Sequence, residues 1–572
     1  MTGIELGASG RHRDVPATPQ LTLSPHRLFA AMACGFALLL VVLPMGWLFI
    51  GPSIESGRLD VDFLAEVFGQ RRLVGALLNT IEASLATSLL ATVIGVALAL
   101  LVARTDLPLR RIFSTLIMGS FVTSSYLVAF AYIVLLGPNA GVINQALMRL
   151  FGLDEALFDI YSFEGYVFVA TLEATSLVFM TVVAALRTLD GSLENSARIL
   201  GAKAFRVIGT ITLPLTAPAI GAGALVAFIS TLSLYGAPAI LGVRVVPTEI
   251  QALLGYPARF DLAAGVSLYL MVLALGGLLL YQRLLNRPGR FVTLTGKGTP
   301  TETLPLGRWR WPAFAFAWTY ILLSLFLPYA VLGYASLSKA VGADLSLENL
   351  TLANYAFILR DQLSMRGLKN SLLLAVGAAL VAAMLASIIG FMAVRLREQR
   401  TMRAVDAVLM LPFGIPSVVI AVGLILAFIR PPLVLYGTIW IIGLAYLTKY
   451  LPIAVRTIAA VYEQIDSSLE EASRIVGASP TTTFTKISVP LAWNGIVSVV
   501  FVVFIPCFSE LSASILLVSP YNETAAFAMI TTWGGGSFEA TCATGVIMLA
   551  ITLCVTLVGH AAFVRSAPIV IR

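Results

Sequence analysis

Charged side chains are scarce in this chain of 572 residues. Only 12% of the residues are Asp, Glu, Lys or Arg, whereas about a quarter is usual in soluble domains. Hydrophobic residues make up 58%, and the mean hydropathy is +0.92. A water-soluble fold of this composition would have to expose large apolar patches. The scarcity of charge therefore excludes a soluble globular protein and predicts an all-α polytopic membrane protein.

Histidine and cysteine are also rare. Two of the three histidines, His12 and His26, lie in the polar N-terminal region. The four cysteines lie in or beside apolar stretches and lack the spacing of metal ligands: Cys34, Cys507, Cys542 and Cys554. A nucleotide-binding loop is missing too, because "TGKGT" around Lys297 has neither the spacing nor the following helix. We therefore expect no metal, no cofactor and no catalytic centre.

Long apolar runs occupy most of the chain. A membrane-spanning helix needs about 20 such residues, and the runs of this kind predict about twelve helices. In the first half they begin near Leu28, Leu73, Ile112, Gly165, Pro218 and Ala263. In the second half they begin near Ala313, Leu372, Val405, Thr438, Gly495 and Thr541. The first run is longer than the core of a signal peptide, so it is expected to stay as a span.

Polar segments divide the chain into four parts. Residues 1–27 form a polar tail, and residues 286–312 form a linker rich in Pro, Gly, Thr and Arg. Two apolar units, 28–285 and 313–566, hold six predicted spans each. We therefore expect two six-helix units in one chain.

Basic residues concentrate in short loops on one side of the predicted membrane, which is the pattern of orientation signals. The expected cytoplasmic set is Arg104, Arg110, Arg111, Arg187, Arg198, Lys203, Arg206, Arg283, Arg287, Arg290, Arg308, Arg310, Arg395, Arg397, Arg400, Arg403 and Arg565. The opposite loops carry more acids, for example Glu55, Asp60 and Asp154. The net charge of +7 is therefore assigned to membrane topology, with lipid and not nucleic acid as the partner. Both termini are expected in the cytoplasm.

The two halves repeat each other at a spacing of 276 positions. The residues of the first copy are Asp190, Leu193, Glu194, Arg198, Ile199, Gly201, Ala202, Ile211, Pro214, Leu215 and Ile220. Their matches are Asp466, Leu469, Glu470, Arg474, Ile475, Gly477, Ala478, Ile487, Pro490, Leu491 and Ile496. Asn79 and Asn370 also occupy similar places before a span. Because each half has an even number of spans, the copies share one orientation and are parallel repeats.

A polar segment interrupts the apolar pattern once in each half. "DSSLEEASRIVGA" covers residues 466–478, and its copy "DGSLENSARILGA" covers 190–202. Ser468 and Glu471 have the spacing of a capping box, and Gly477 stands where a helix would end. Each copy also places an acid four residues before an arginine on one helix face: Glu194 before Arg198 and Glu470 before Arg474. The pattern fits a plain amphipathic surface helix, or two equivalent docking surfaces for a two-fold partner.

The stretch "EASRIVGASPTTTFTKISVP" resembles the EAA loop of binding-protein-dependent ABC importer permeases. In that family an acidic residue opens the motif, a glycine follows six positions later and a proline-ended segment closes it. Glu471, Ala472, Gly477 and Pro490 fit this pattern. The resemblance implies that the loop is a coupling helix that docks in a cleft of a cytoplasmic ATPase subunit.

The first copy departs from the motif at one position. Gly201 and Pro214 are kept, but Asn195 stands at the acidic position, directly after Glu194. This departure suggests that the first loop makes the weaker contact. The resemblance covers nearly the whole chain through the duplicated unit. It implies a fused, type I permease of a bacterial inner membrane, with two copies of an ABC ATPase and an outer solute-binding protein as partners.

Four ionisable residues fall inside predicted spans, where charge is costly and often functional. They are Glu82 and Glu173 in the first half, and Lys449 and Glu510 in the second. Glu173 and Lys449 occupy equivalent positions of the repeat. The sequence is compatible with an ion pair between them, with two separate pore-lining charges, and with snorkelling of Lys449 to the interface.

Two stretches bear on the substrate. "FSELSASILL" (508–517) looks like the ferric-iron uptake branch of these permeases, and "LSLYGAPAILG" (232–242) fills the matching place in the first half. Importers of thiamine, 2-aminoethylphosphonate and polyamines share the architecture that this resemblance implies, so these substrates stay open. An ion-coupled secondary transporter would also have about twelve spans, but it would need neither paired coupling loops nor an ATPase.

Overall fold

The computed structural model describes residues 25–56, 61–189, 191–285, 303–342, 347–396 and 399–566. Within these ranges nearly all regular structure is helical, and the extended pairings are two isolated bridges, Thr105 with Leu304 and Ser338 with Leu350. Most of the predicted tail and linker, Asp190 and Arg397 lie outside the described residues.

Nine helices of the described ranges are long and apolar enough to cross a membrane, and three bent helix pairs raise the number to twelve. Spans 1 to 6 are Ala31–Pro52, Arg71–Arg104, Arg110–Ser120 with Ser125–Leu136, Phe163–Thr188, Ala204–Leu232 and Phe260–Arg283. Spans 7 to 12 are Gly307–Ser336, Gln362–Arg395, Arg400–Gly414 with Ser417–Phe428, Ile439–Tyr462, Pro480–Leu491 with Trp493–Phe508, and Phe538–Gly559. Each predicted apolar run corresponds to one span, so the expected all-α fold is confirmed.

Shorter helices occupy the loops. They are Asp62–Gly69, Val142–Phe151, Ser192–Ile199, Gly236–Ile240, Val246–Leu254, Ala353–Arg360, Ser468–Ile475, Ser514–Leu517 and Ala525–Gly534, with a 3-10 turn at Leu347–Asn349. Three spans contain a π-helical turn, at Ile208–Thr212 in span 5, Leu322–Phe326 in span 7 and Phe484–Ser488 in span 11. The turns in spans 5 and 11 lie 276 positions apart, so the duplication extends to this irregularity.

Three spans of each unit pack together in the same way. Span 2 lies against spans 4 and 5, and span 8 lies against spans 10 and 11. Glycine permits the close approach: a Cβ at Gly95 would lie 2.9 Å from Val178, and a Cβ at Gly390 would lie 2.6 Å from Ile458. Small residues at such crossings stabilise helix pairs in lipid, where apolar surface alone supplies little driving force.

The first span of each unit packs on the other unit. Span 1 lies along the second limb of span 9, and span 7 lies along the second limb of span 3. Tyr329 of span 7 shares a hydrogen bond of 2.7 Å with the hydroxyl of Thr123, and Tyr132 of span 3 donates to the carbonyl of Leu323 at 2.8 Å. The halves are therefore joined by this exchange as well as by the linker.

Spans 3 and 9 are broken at equivalent points, with bends of 99° and 110°. Pro412 and Pro416 flank the break in span 9, whereas the matching positions of span 3 hold Ser120 and Ser124. The backbone angles of Ser124 (φ −66°, ψ 139°) nevertheless match those of Pro416 (φ −57°, ψ 140°). A break with this backbone geometry therefore forms in span 3 without proline.

Candidate functional site

Two short surface helices, Ser192–Ile199 after span 4 and Ser468–Ile475 after span 10, lie on one face of the membrane. The backbone N–H of Leu304, at the end of the linker, donates to the carbonyl of Arg104 at 2.8 Å. This bond places the linker beside the C-terminal end of span 2, where the first surface helix lies. Span 7 leaves from the linker and span 8 returns to the same face, beside the second surface helix. Both repeats of the polar segment therefore face one compartment.

Each surface helix ends in a Schellman motif, in which a glycine takes the left-handed conformation. The φ angles of Gly201 and Gly477 are +87° and +88°. The N–H groups of Gly477 and Ala478 donate to the carbonyls of Arg474 and Ser473 at 2.9 and 3.1 Å, and the first copy repeats the pattern at 2.9 and 3.0 Å. The predicted helix end at Gly477 is confirmed, and its twin is Gly201.

The start of the second helix differs from the expected capping box. The helix begins at Ser468, and the side chain of its N-cap Ser467 makes no capping hydrogen bond. The carboxylate of Asp466 instead accepts from the N–H of Ser468 at 2.9 Å, and this bond holds the pKa of Asp466 below its ordinary value. The predicted box between Ser468 and Glu471 is wrong, because the capping acid precedes the helix.

Both surface helices present apolar side chains to water at their C-terminal ends. Ile199 and Leu200 are 87% and 88% exposed, and Ile475 and Val476 are 86% and 88% exposed. A single exposed apolar residue needs no explanation. Here two pairs project equally at equivalent positions of the repeat and form two matched apolar surfaces. We call these two pairs the apolar tips.

One acid in the first turn of each surface helix points toward the protein interior. Glu194 and Glu470 are buried. Each contacts the arginine at the end of another span: Arg104 of span 2 lies 3.2 Å from Glu194, and Arg395 of span 8 lies 2.9 Å from Glu470. We call these contacts the arginine clamps. Each clamp ties a surface helix to a long span.

A hydroxyl from the π-helical turn completes each clamp. Thr212 donates to Glu194 at 2.7 Å, and Ser488 donates to Glu470 at 3.3 Å. The second clamp has the fuller geometry, because Nε of Arg395 donates to both carboxylate oxygens at 3.0 and 3.1 Å, and Nη2 donates to one of them at 2.9 Å. Bidentate contacts of this kind are the stronger form of an arginine–carboxylate pair.

The sequence pattern did not predict the clamps. It matched each acid with the arginine four residues later, Arg198 or Arg474, whereas the structure supplies an arginine from another span. The sequence nevertheless contains a signal for the clamps, because their arginines, Arg104 and Arg395, repeat at a spacing of 291 positions. Asn79 and Asn370 have the same spacing, so the repeat holds two different offsets. A search at both offsets would have found the pairs.

The motif's other positions lie at the surface. Glu471 and Ala472 are exposed, whereas Asn195 is half-buried and its Oδ1 has no hydrogen-bond partner among the described residues. Pro214 and Pro490 lie just after the π-helical turns of spans 5 and 11, within helical backbone, where proline removes one backbone donor.

The four intramembrane residues have different environments. Glu82 is exposed on span 2, on a face that it shares with the exposed side chains of Leu78, Leu85 and Leu89. The carboxylate of Glu173 lies beside Ser125, the first residue of the second limb of span 3. A carboxylate at this place complements the positive end of that helix.

Lys449 and Glu510 lie together at the break of span 9. The ammonium of Lys449 donates to the carbonyls of Ile415 and Pro412 at 2.7 and 3.4 Å. The carboxylate of Glu510 accepts from the backbone N–H of Ala513 at 2.9 and 3.1 Å. The same carboxylate attracts the ammonium of Lys449 electrostatically. Among the described residues no ion pair joins Glu173 to Lys449, and Lys449 does not snorkel, because its ammonium is held by the break.

Comparison with known proteins adds the following. The family model described as "Binding-protein-dependent transport system inner membrane component" matches twice, over residues 84–290 and 386–568. The "Probable ABC transporter permease protein y4fN" of Sinorhizobium fredii is 30% identical over 82% of this chain and 84% of its own length. The ferric transport system permease protein FbpB of Actinobacillus pleuropneumoniae is 26% identical over 90% of this chain and 75% of its own length. The "Putative 2-aminoethylphosphonate transport system permease protein PhnU" of Salmonella typhimurium is 28% identical over 41% of this chain and 83% of its own length.

Proposed function

Because this chain belongs to the family of binding-protein-dependent transport system inner membrane components, we propose that it is the fused permease of an ATP-driven importer of ferric iron. The family is one of transport components, so the chain is not itself an enzyme. In the proposal two copies of a cytoplasmic ABC ATPase bind the surface helices. A solute-binding protein delivers the substrate to the opposite face.

The matched surface helices carry the ATPase part of the proposal. Two copies of one ATPase present two identical clefts, and a two-fold partner needs two equivalent contacts on one face. The apolar tips and the helix ends at Gly201 and Gly477 supply such a pair. The arginine clamps then transmit a push on each helix to spans 2 and 8, which gives alternating access a mechanical link.

Ferric iron is proposed because the FbpB relative matches across both units, over 90% of this chain. The PhnU relative matches over 41%, so 2-aminoethylphosphonate is the substrate to test against it. Radiolabelled ferric iron and radiolabelled 2-aminoethylphosphonate are offered to cells that carry the permease with its cognate ATPase and binding protein. The proposal expects uptake of iron alone. Uptake of the phosphonate alone would replace the substrate and leave the permease role intact.

The docking helix is tested at Gly477. Asp and Asn both tolerate the left-handed conformation, so Gly477→Asp and Gly477→Asn differ in charge while they share the backbone constraint. We expect Gly477→Asp to remain inserted and abundant but to lose ATPase co-purification and substrate-stimulated ATP hydrolysis, with a smaller loss in Gly477→Asn. Gly201→Asp should reduce ATPase co-purification and substrate-stimulated ATP hydrolysis less than Gly477→Asp does, because Asn195 stands at the acidic position of the first loop. Full ATPase association in Gly477→Asp would refute docking at this helix.

The orientation is tested with reporters. A reporter fused in the linker near Gly298 should be active as a cytoplasmic fusion, and one near Gly534 should be active as a periplasmic fusion. The same compartment for both would contradict the twelve-span topology. Opposite compartments in the reverse sense would place the surface helices outside and exclude cytoplasmic ATPases as their partners.

A further inference from the structure

A basic cavity of about 330 Å³ lies where the ends of spans 2, 3 and 4 meet, on the face that carries the surface helices. Four arginines from three spans line it, together with Val102, Ala103 and Thr303: Arg104, Arg110, Arg111 and Arg187. Orientation signals require only that basic residues lie in the loops on one side. They do not require side chains from three spans to converge on one cavity.

Among the described residues, the acids around this cavity do not balance its positive charge. Glu194 pairs with Arg104 in the first clamp. Neutral groups accept from two of the others, since Arg187 donates to the hydroxyl of Ser114 at 3.1 Å and Arg110 donates to the carbonyl of Thr105 at 3.3 Å. No carboxylate lines the cavity among the described residues. An excess of positive charge therefore remains there.

The backbone adds to this positive field. The helix Arg110–Ser120 begins at the cavity, and the N-terminus of a helix of this length favours an anion. Leu109, which precedes it, has φ +57°, in the left-handed region that bulky side chains avoid. This strained turn presents Arg110 and Arg111 at the cavity, and strain of this kind is often retained where it serves a function.

The second unit shows that the fold does not need the cavity. Arg104 matches Arg395 at a spacing of 291, and Arg187 matches Glu463 at a spacing of 276. When spans 3 and 9 are aligned on their breaks, which pairs Ser124 with Pro416 at a spacing of 292, Arg110 matches Met402 and Arg111 matches Arg403. Two of the four positive charges are thus lost in a copy that keeps the same span arrangement. The second unit keeps basic residues in the same loop, including Arg400, but this set of four arginines occurs in the first unit alone.

We propose that this cavity binds the phosphate group of an anionic phospholipid. Basic pockets between spans at the membrane surface suit such headgroups, and arginine suits phosphate because its fork donates two parallel hydrogen bonds. The exposed side chains of Leu109 and Ile112, next to the arginines, offer an apolar surface for the acyl chains. A headgroup held by Arg110, Arg111 and Arg187 would join the ends of spans 3 and 4 beside the first clamp, which holds Arg104 of span 2. This inference does not depend on the transported substrate.

The test uses the purified full-length protein in detergent and follows its thermal unfolding as lipid is added. Phosphatidylglycerol should raise the unfolding temperature of the wild type, whereas phosphatidylcholine, which has the phosphate but no net charge, should not. In Arg110→Gln/Arg111→Gln/Arg187→Gln the half-saturating phosphatidylglycerol concentration should rise at least tenfold, because each basic residue at an anionic surface contributes about a fivefold factor. The matched control Arg403→Gln, in the second unit, should keep the wild-type response.

Three outcomes would overturn the proposal. These are an unchanged response in the triple variant, an equal response to phosphatidylcholine, and an equal response to inorganic phosphate, which would assign the cavity to a soluble anion. If the triple variant does not fold, Arg111→Gln and Arg187→Gln are examined singly by native mass spectrometry. Each should retain less bound phosphatidylglycerol than Arg403→Gln, and equal retention would refute the site.

Discussion

The two surface-helix segments, 191–202 and 466–478, share a backbone but differ in chemistry. Their terminal glycines differ by one degree in φ, and both apolar tips project equally. Yet the second clamp is bidentate and its motif keeps Glu471, whereas the ion pair of the first clamp measures 3.2 Å and its motif has Asn195. Positions that fix the path of the chain have been kept in both copies. The arginine–carboxylate pairs are kept as well, whereas the acidic position of the motif is Asn195 in the first copy. The two copies are equivalent in shape, and we predict that they differ in the strength of their ATPase contacts.

The largest expected effect is the loss of an arginine clamp. Arg395→Met leaves Glu470 as a buried charge without its partner, which should cost about 3–5 kcal/mol of stability. Arg104→Met should cost less, because its contact with Glu194 is longer. Thermal unfolding of the purified variants in detergent measures the difference. Equal losses would show that the two clamps are equally strong.

A double variant separates the clamp from the arginine itself. Adding Glu470→Met to Arg395→Met removes the stranded charge, so part of the lost stability should return. ATP hydrolysis stimulated by substrate should stay low in the double variant, since the surface helix is no longer tied to span 8. Full recovery of coupling would refute the mechanical role of the clamp.

The second effect concerns the broken spans. Lys449→Met should lower stability by about 2–3 kcal/mol, because the carbonyls at the break and the carboxylate of Glu510 lose their cation. Glu510→Gln should restore part of this loss, whereas Glu173→Gln should add its own loss independently. The measurement is a double-mutant cycle on thermal unfolding. Coupling of Lys449 to Glu173 and not to Glu510 would contradict the structure.

A smaller effect is expected at the motif's acidic position. Glu471→Asn makes the second loop like the first, and Asn195→Glu makes the first loop like the second. Each exposed charge should change ATPase affinity by about 0.5–1 kcal/mol, or roughly two- to fivefold. Co-purification of the ATPase at graded salt measures the change. In the exchanged variant Asn195→Glu/Glu471→Asn the first loop should bind the ATPase more tightly than the second. If it does not, this position does not determine the ATPase affinity of the loops.

The smallest effect is expected at the breaks themselves. Ser124 already has the backbone angles of Pro416, so Ser124→Pro and Pro416→Ser should each change stability by at most about 0.5 kcal/mol. Both variants should transport at close to the wild-type rate. A large loss in Pro416→Ser alone would show that span 9, unlike span 3, needs proline for its break.

Much of the fold could be predicted from the sequence. Span positions follow from apolar runs, because the bilayer demands about 20 such residues in each helix. The helix ends at Gly201 and Gly477 follow from a local rule, since glycine adopts the left-handed conformation at little cost. Both are properties of a few neighbouring residues, and the sequence shows neighbours directly.

The contacts of the buried charges could not be predicted in this way. Helical periodicity matched Glu470 with Arg474, which is four residues away, while its true partner Arg395 is 75 residues away. The pairing of Lys449 with the break likewise depends on how span 9 bends, which no local pattern reveals. The repeat suggested Glu173 as a partner of Lys449, because the two residues occupy equivalent positions. Equivalent positions of a repeat need not be in contact.

The exchange of first spans between the units bears on how the chain is made. Spans 1–6 are synthesised before span 7, yet Tyr320 and Tyr329 of span 7 hydrogen-bond to the carbonyl of Leu172 and the hydroxyl of Thr123. Polar groups of this kind are costly to leave unsatisfied in lipid. The N-terminal half therefore leaves the ribosome as an incomplete domain and matures only when the next hydrophobic segment is inserted. Co-translational quality control of this protein must tolerate a half-folded intermediate until span 7 is inserted.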